Sequence, residues 1–201
     1  PDTYGDVTIN GSTYIAGNAR PTNTYTTYMF GQADFGYVPA SVQTPWLTHE
    51  NGTLVPDIAW DYTMGYNFTP RKDGQITRLS GYFNGAKTVS LWNKATGELL
   101  AQQNVTSSNN WSSVDIDPVL VNAGVTYTVA VYLGGSGGSY RSGIAAFPQT
   151  YGDITIEGSA WLFGNGRPTN NYASIMYGQV DVGFSAFSGQ TPWKRNENGT
   201  L

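Results

Sequence analysis

A chain of 201 residues is long enough for one large β domain or two small ones. Charged residues make up only 12% of it, against about 25% in ordinary soluble domains, while Gly, Thr, Asn, Ser and Tyr are plentiful. The net charge of −4 with ten scattered Lys and Arg leaves no basic stripe for nucleic acid, and the lack of cysteine removes disulfides and thiolate zinc sites.

No run of about 18 apolar residues offers a membrane-spanning segment. The chain opens at Pro1 without a signal-like region, so it reads as a mature or excised piece.

From the N-terminus, DVTI-Asn10-Gly11-STYI reads as a hairpin, followed by a strand through MFGQADFGY and a loop-like Gln-Thr-Pro-Trp motif ending at Trp46. Beyond Leu54 the character changes. GYNFTP and QITRLSGYF read as two strands joined at Lys72-Asp73-Gly74, and Asn84-Gly85 reads as the next turn.

KTVSLWN and ELLAQQNV then form a hairpin around Ala95-Thr96-Gly97, and WSSVDI follows. VTYTVAVYL alternates strictly, with Val125, Tyr127, Val129, Val131 and Leu133 on one face. Gly134-Gly135-Ser136-Gly137-Gly138 is a hairpin loop and not a phosphate loop, because neither a helix nor Gly-Lys-Ser/Thr follows it.

After Pro148 the sequence repeats itself. PQTYGDITIEGSAWLFGNGRPTNNYASIMYGQVDVGF aligns without a gap with the segment from Pro1, at an offset of 147 residues, and about 31 of 54 positions are identical. The natural division is therefore 1–54, the tail of a preceding unit; 55–147, a body; and 148–201, the tail of that body.

The 1–54 tail is expected to expose strand edges and to be completed by a neighbour, through strand addition that builds filaments when the rotation does not close. The fold class expected for the whole is all-β: an antiparallel, jelly-roll-like β-sandwich with additional hairpin tails.

The succession GYNFTP…DGQITRLSGYF…VSLWNKATGELLA…NWSSVDI…VNAGVTYTVAVY, between about residues 62 and 184, resembles the bacterial domain of unknown function 4082. The following TYGD…ARPTN…MYGQAD pattern is similar to Thr150–Asp181 and, for the tail alone, to residues 3–37. The resemblance implies a β-sandwich of large secreted or surface proteins, sometimes beside carbohydrate-acting modules, and it brings no activity and no functional residues.

The inventory of reactive groups is poor. Asp115 and Asp117 are the close carboxylate pair on a strand, but they precede Pro118 and read as solvated acids. Asp6 and Asp153, and Asp34 and Asp181, occupy matching positions and are expected to bond turn amides, since no D-x-D-x-D run is present. His49 is the single histidine and its counterpart is Asn196, so neither a catalytic triad nor a metal site is expected, nor any cofactor.

The aromatic content of 14% is the informative surplus. Trp92 and Trp111 read as core residues. Trp46 and Trp193 recur in Gln-Thr-Pro-Trp beside Asn-Gly-Thr-Leu, and are expected to form a self-association surface with Trp60 and Tyr62 as matching anchors and Tyr4 and Tyr151 beside them. Sequons at Asn10, Asn51, Asn67, Asn104, Asn110 and Asn198 are candidate glycosylation sites.

The function expected is a non-enzymatic structural repeat of an extracellular filament, surface layer or adhesin stalk, whose partners are copies of itself. The alternative is a carbohydrate-binding module, with Trp46 and Trp193 forming an aromatic platform for polysaccharide.

Overall fold

The computed structural model describes residues 41–187 throughout and, of residues 1–40, the backbone of four short strands. The chain divides into Ser41–Phe187 and a second unit made of Pro1–Ala40 with Ser188–Leu201. In the second unit, β1 (Asp2–Tyr4) pairs with β2 (Val7–Ile9), and β3 (Ser12–Tyr14) pairs with β4 (Asn23–Tyr25).

The larger unit is built from β5 (Thr53–Ile58), β6 (Tyr62–Pro70), β7 (Gly74–Asn93), β8 (Leu99–Val121), β9 (Tyr127–Tyr132) and β10 (Gly138–Ser142). β11 (Gln149–Tyr151), β12 (Ile154–Phe163), β13 (Asn170–Tyr172), β14 (Met176–Tyr177) and β15 (Val180–Ala186) complete it.

Eight strands form one antiparallel sheet in the order β11-β12-β6-β9-β7-β15, with β13 added on β12 and β8 on β7; a second sheet runs β14-β10-β5. The two pack together as an all-β sandwich. Buried between them are Met64, Tyr66 and Phe68 of β6, Ile76, Leu79, Val89 and Leu91 of β7, and Val129 and Val131 of β9. β9 is buried along nearly its whole length because β6 and β7 flank it on both edges.

The duplication shows in the register. Tyr4 lies opposite Val7 as Tyr151 lies opposite Ile154, and Ser12 opposite Tyr25 as Ser159 opposite Tyr172.

Three local expectations give way to longer-range pairing. The segment DITIEGSAWLF is one strand and not a hairpin: both halves of β12 pair with β6, and Glu157 is the extra residue of a β-bulge between Ile156 and Gly158. Asn84-Gly85 does not turn the chain either. β7 runs on through it, and a bulge at Phe83/Asn84 with Gly85 at φ +92° marks where β7 changes neighbours, from β15 to β9.

The glycine run after Leu133 is the third. It carries the chain from the large sheet to the small one, since β9 and β10 do not pair with each other.

The strand expected through MYGQVDVGF is likewise divided between the sheets, β14 pairing with β10 and β15 with β7. Gly178 makes the switch at φ +68°, and a Cβ there would lie 2.4 Å from the Met64 carbonyl oxygen. Gly178→Ala is therefore expected to cost about 3 kcal/mol, from both the left-handed backbone and the collision. Chemical denaturation reads this directly, and a loss below about 0.5 kcal/mol would contradict the argument.

Residues 41–54 do not behave as the end of a preceding tail. Gln43 bridges antiparallel to Phe184, with N–H···O distances of 2.7 and 2.9 Å, so both ends of the larger unit meet at the edge of β15. Ser41–Phe187 spans 147 residues, the offset of the repeat, and its boundaries lie about fourteen residues upstream of those that the duplication suggests.

Candidate functional site

Two constellations stand out, one buried and one exposed. The buried one closes the unit. The turn after Gln43 drives Trp46 into the core, where it is fully buried and its ring lies 6.3 Å from that of Phe147. The indole Nε1 donates to Gln179 Oε1 at 3.0 Å.

Asp181, also fully buried, receives the rest of the segment. Its Oδ2 accepts from the backbone N–H groups of Trp46 (3.1 Å) and Leu47 (2.6 Å), and its Oδ1 accepts from Tyr66 Oη (2.6 Å) and its neighbour Val182 N (2.8 Å). One carboxylate thus ties the first segment of the unit to β6 and β15.

Gln43 adds a second tie, donating from Nε2 to Asp153 and accepting the Asp153 N–H. The Gln43 bond and then Lys72, 3.0 Å away, hold the Asp153 carboxyl below the usual range.

The exposed constellation is a chain of rings. Trp60 stacks on Tyr140 with centroids 5.4 Å apart, and meets Tyr62 edge-on at 6.1 Å. Tyr62 continues to Trp161 at 5.8 Å and Phe163 at 5.4 Å, while Tyr140 continues to Tyr177 at 6.4 Å and from there to Tyr172 at 5.8 Å.

Phe163, Tyr172 and Trp60 are exposed by 69%, 46% and 38%, so this aromatic surface faces solvent. At its Tyr172 end it opens into a cleft of about 240 Å³ lined by Asn67, Lys94, Glu157, Gly158, Asn171 and Ala173.

The family model described as Domain of unknown function (DUF4082) matches residues 51–178, well over half the chain. The chain belongs to this family. No curated protein matches it. The DUF4082 match begins after Trp46 and ends before Asp181, so both halves of the buried tie lie just outside it.

In this DUF4082 protein the aromatic residues singled out from sequence separate. Trp46 is not a surface anchor: it is core, because its indole and backbone both find partners inside its own unit. Tyr151 is half-buried against His49, with ring centroids 4.4 Å apart, and His49 donates from Nδ1 to the Pro45 carbonyl. Trp60 lies exposed on the ring chain with Phe163 and Tyr172, whereas Tyr62, like Tyr140, Trp161 and Tyr177, is half-buried, and Tyr62 packs against the core. Trp193 and the side chain of Tyr4 lie outside the described residues.

The acids also differ in role. Asp181 bonds backbone amides, as its position after Gly-Gln-x suggested, whereas Asp153 instead holds Gln43 and Lys72. Asp115 pairs with Arg78 at 2.8 Å on the surface.

Among the sequons, Asn67 is buried and bonds Thr128 and Asn171, so it is not open to a glycan. Asn104 and Asn110 are exposed, Asn51 is half-buried, and Asn10 and Asn198 lie outside the described residues. Trp92 is buried as expected, and Trp111 is half-buried beside Tyr82.

Burial pushes the Asp181 carboxyl up to about 7, against the pull of Tyr66 and the three amides toward the ionised form.

Proposed function

We propose that the chain is a non-catalytic structural repeat of an extracellular surface or filament protein, in which DUF4082 units follow one another without linkers. The observation that carries this reading is the identity between the length of the folded unit and the period of the sequence. A fold that spans one period, and whose first and last residues meet at one sheet edge, can be tiled along a chain indefinitely.

Copies of the unit are the partners of this reading. Strand addition has a natural place at β8, a strand of 23 residues whose one partner among the described residues is β7. The apolar end of the aromatic surface, at Trp60, Tyr62 and Phe163, supplies the docking contact. The tie between Trp46 and Asp181 supports the same reading, since Gln43, Trp46, Gln179 and Asp181 are matched by Gln190, Trp193, Gln32 and Asp34 in the other copy, while Phe163 is matched by Ala16. What both copies keep is what closes a unit.

Sedimentation velocity of the 201-residue chain, with negative-stain microscopy, tests the reading. Concentration-dependent chains or threads are expected, and Trp60→Ala should shorten them. Single particles at all concentrations up to the millimolar range would overturn it.

A further inference from the structure

The cleft at the Tyr172 end of the aromatic surface does not resemble a protein-docking face. A dry protein contact needs a continuous apolar centre, whereas Tyr172, exposed by 46%, shares this cleft with Glu157, Lys94 and Asn171, three residues whose side chains are charged or carry an amide. Glu157 and Lys94 both line the cleft, and neither forms an ion pair among the described residues.

The backbone prepares this arrangement. Glu157 is the extra residue of the β12 bulge, a device that re-aims a side chain out of the regular alternation of a strand. Asn171, on β13, is held by the buried Asn67, whose Nδ2 donates to Asn171 Oδ1 at 2.5 Å. Asn67 is fixed in turn by Thr128, which donates to its Oδ1 at 2.7 Å. Thr128 and Asn67 are buried at 0% and 2% exposure, so the Asn171 amide oxygen is committed while its NH2 group has no partner within the protein among the described residues.

A flat ring face beside separate donors and acceptors matches one chemical class well. A pyranose presents an apolar face of C–H groups and a rim of hydroxyls that both donate and accept. We infer that this cleft binds a sugar residue of a neutral polysaccharide, the pyranose stacking on Tyr172 while its hydroxyls donate to Glu157 and accept from Lys94 and the Asn171 amide.

The opposite charges of Glu157 and Lys94 favour a neutral saccharide over a uronic acid or a sulfated sugar. The rings beyond Tyr172, at Tyr177 and Tyr140, lie at 5.8 and 6.4 Å from one to the next and offer a track for the adjoining sugars. The cleft itself, at Tyr172, Glu157, Lys94 and Asn171, shares no residue with the docking contact proposed at Trp60, Tyr62 and Phe163, so sugar binding there does not rest on self-association.

Affinity electrophoresis of the full 201-residue chain in gels containing xylan, galactomannan, mixed-linkage β-glucan or starch tests the inference, with a pectin gel as the charged comparison. At least one neutral polysaccharide should retard the protein. Tyr172→Ala should weaken the retardation at least about tenfold, Glu157→Gln and Lys94→Gln should each weaken it several-fold, and Leu120→Ser, an exposed change on β8, should leave it intact. Because Tyr172, Glu157 and Lys94 are not core residues, unchanged circular dichroism and melting separate lost binding from lost fold. No retardation in any neutral gel, retardation in pectin alone, or full binding by Tyr172→Ala would each overturn the assignment.

Discussion

Replacing Trp46 with alanine is expected to destabilise the unit by about 5 kcal/mol, the upper end of what truncating a buried tryptophan costs. The indole has no solvent exposure, so its removal leaves a large void beside Phe147. It also strips the donor from Gln179 Oε1, and Gln179 is itself buried at 1% exposure. Against a total stability of about 5–15 kcal/mol for a domain of ordinary stability, that loss removes a third or more.

Trp46→Phe should recover much of this cost, because it restores most of the volume and forfeits only the hydrogen bond. The measurement is guanidinium unfolding followed by tryptophan fluorescence or circular dichroism. It also separates two roles. A tryptophan that served only to dock a neighbour would leave the stability of the isolated chain within about 1 kcal/mol of wild type when truncated.

The second large effect belongs to Asp181→Asn, a change that conserves shape and removes one acceptor oxygen. Each carboxylate oxygen accepts two bonds, Oδ1 from Tyr66 and Val182 and Oδ2 from Trp46 and Leu47. Whichever oxygen becomes an amino group turns a donor toward two donors, and two buried N–H or O–H groups lose their partner.

At about 1–3 kcal/mol for each orphaned group, a loss of about 4 kcal/mol follows. Asp181→Asn and Trp46→Ala should be non-additive, since the segment that Asp181 holds through the backbone N–H groups of residues 46 and 47 is the same one the buried indole anchors, and loosening it by either change weakens what the other can remove. A double variant whose loss equals the sum of the single losses would show that the two residues act independently.

Much of the architecture was legible from the sequence because it rests on local pattern. Alternation marked β9, turn chemistry marked the β7–β8 hairpin at Ala95-Thr96-Gly97, and the duplication showed that two segments share one fold. What was not legible depends on partners distant in the chain. Asn84-Gly85 carries a strong hairpin signature, yet β8 pairs with β7 on both sides of it and opposite it, so the ladder stays continuous and the extra residue of the bulge there is Asn109 of β8.

Trp46 was misplaced for a related reason. A Pro-Trp motif in a loop-like stretch gives no local sign that a carboxylate 135 residues later will accept its backbone amide. One signal was present and pointed the right way: Gly-Gln-x-Asp and Gln-Thr-Pro-Trp are kept together in both copies. Joint retention of a loop tryptophan and a strand acid within one period is what a mutual contact would produce.

The exposed rings were found only at Trp60 and Tyr62. Tyr140, Trp161, Phe163, Tyr172 and Tyr177 come from β10, β12, β13 and β14, and their adjacency follows from sheet order alone. The same holds for the cleft, which Lys94 from the β7–β8 turn and Glu157 from β12 line together.

Where a unit begins is decided by two fragments. Residues 41–187 carry the Gln43–Trp46 segment together with its Asp181 receptor, whereas residues 55–187 lose that segment along with Glu50, the partner of Arg141, and the first two residues of β5. Guanidinium unfolding of the two should give one cooperative transition for 41–187, and for 55–187 a chain that is unfolded or at least about 5 kcal/mol less stable. Equal stability of the two fragments would contradict the account.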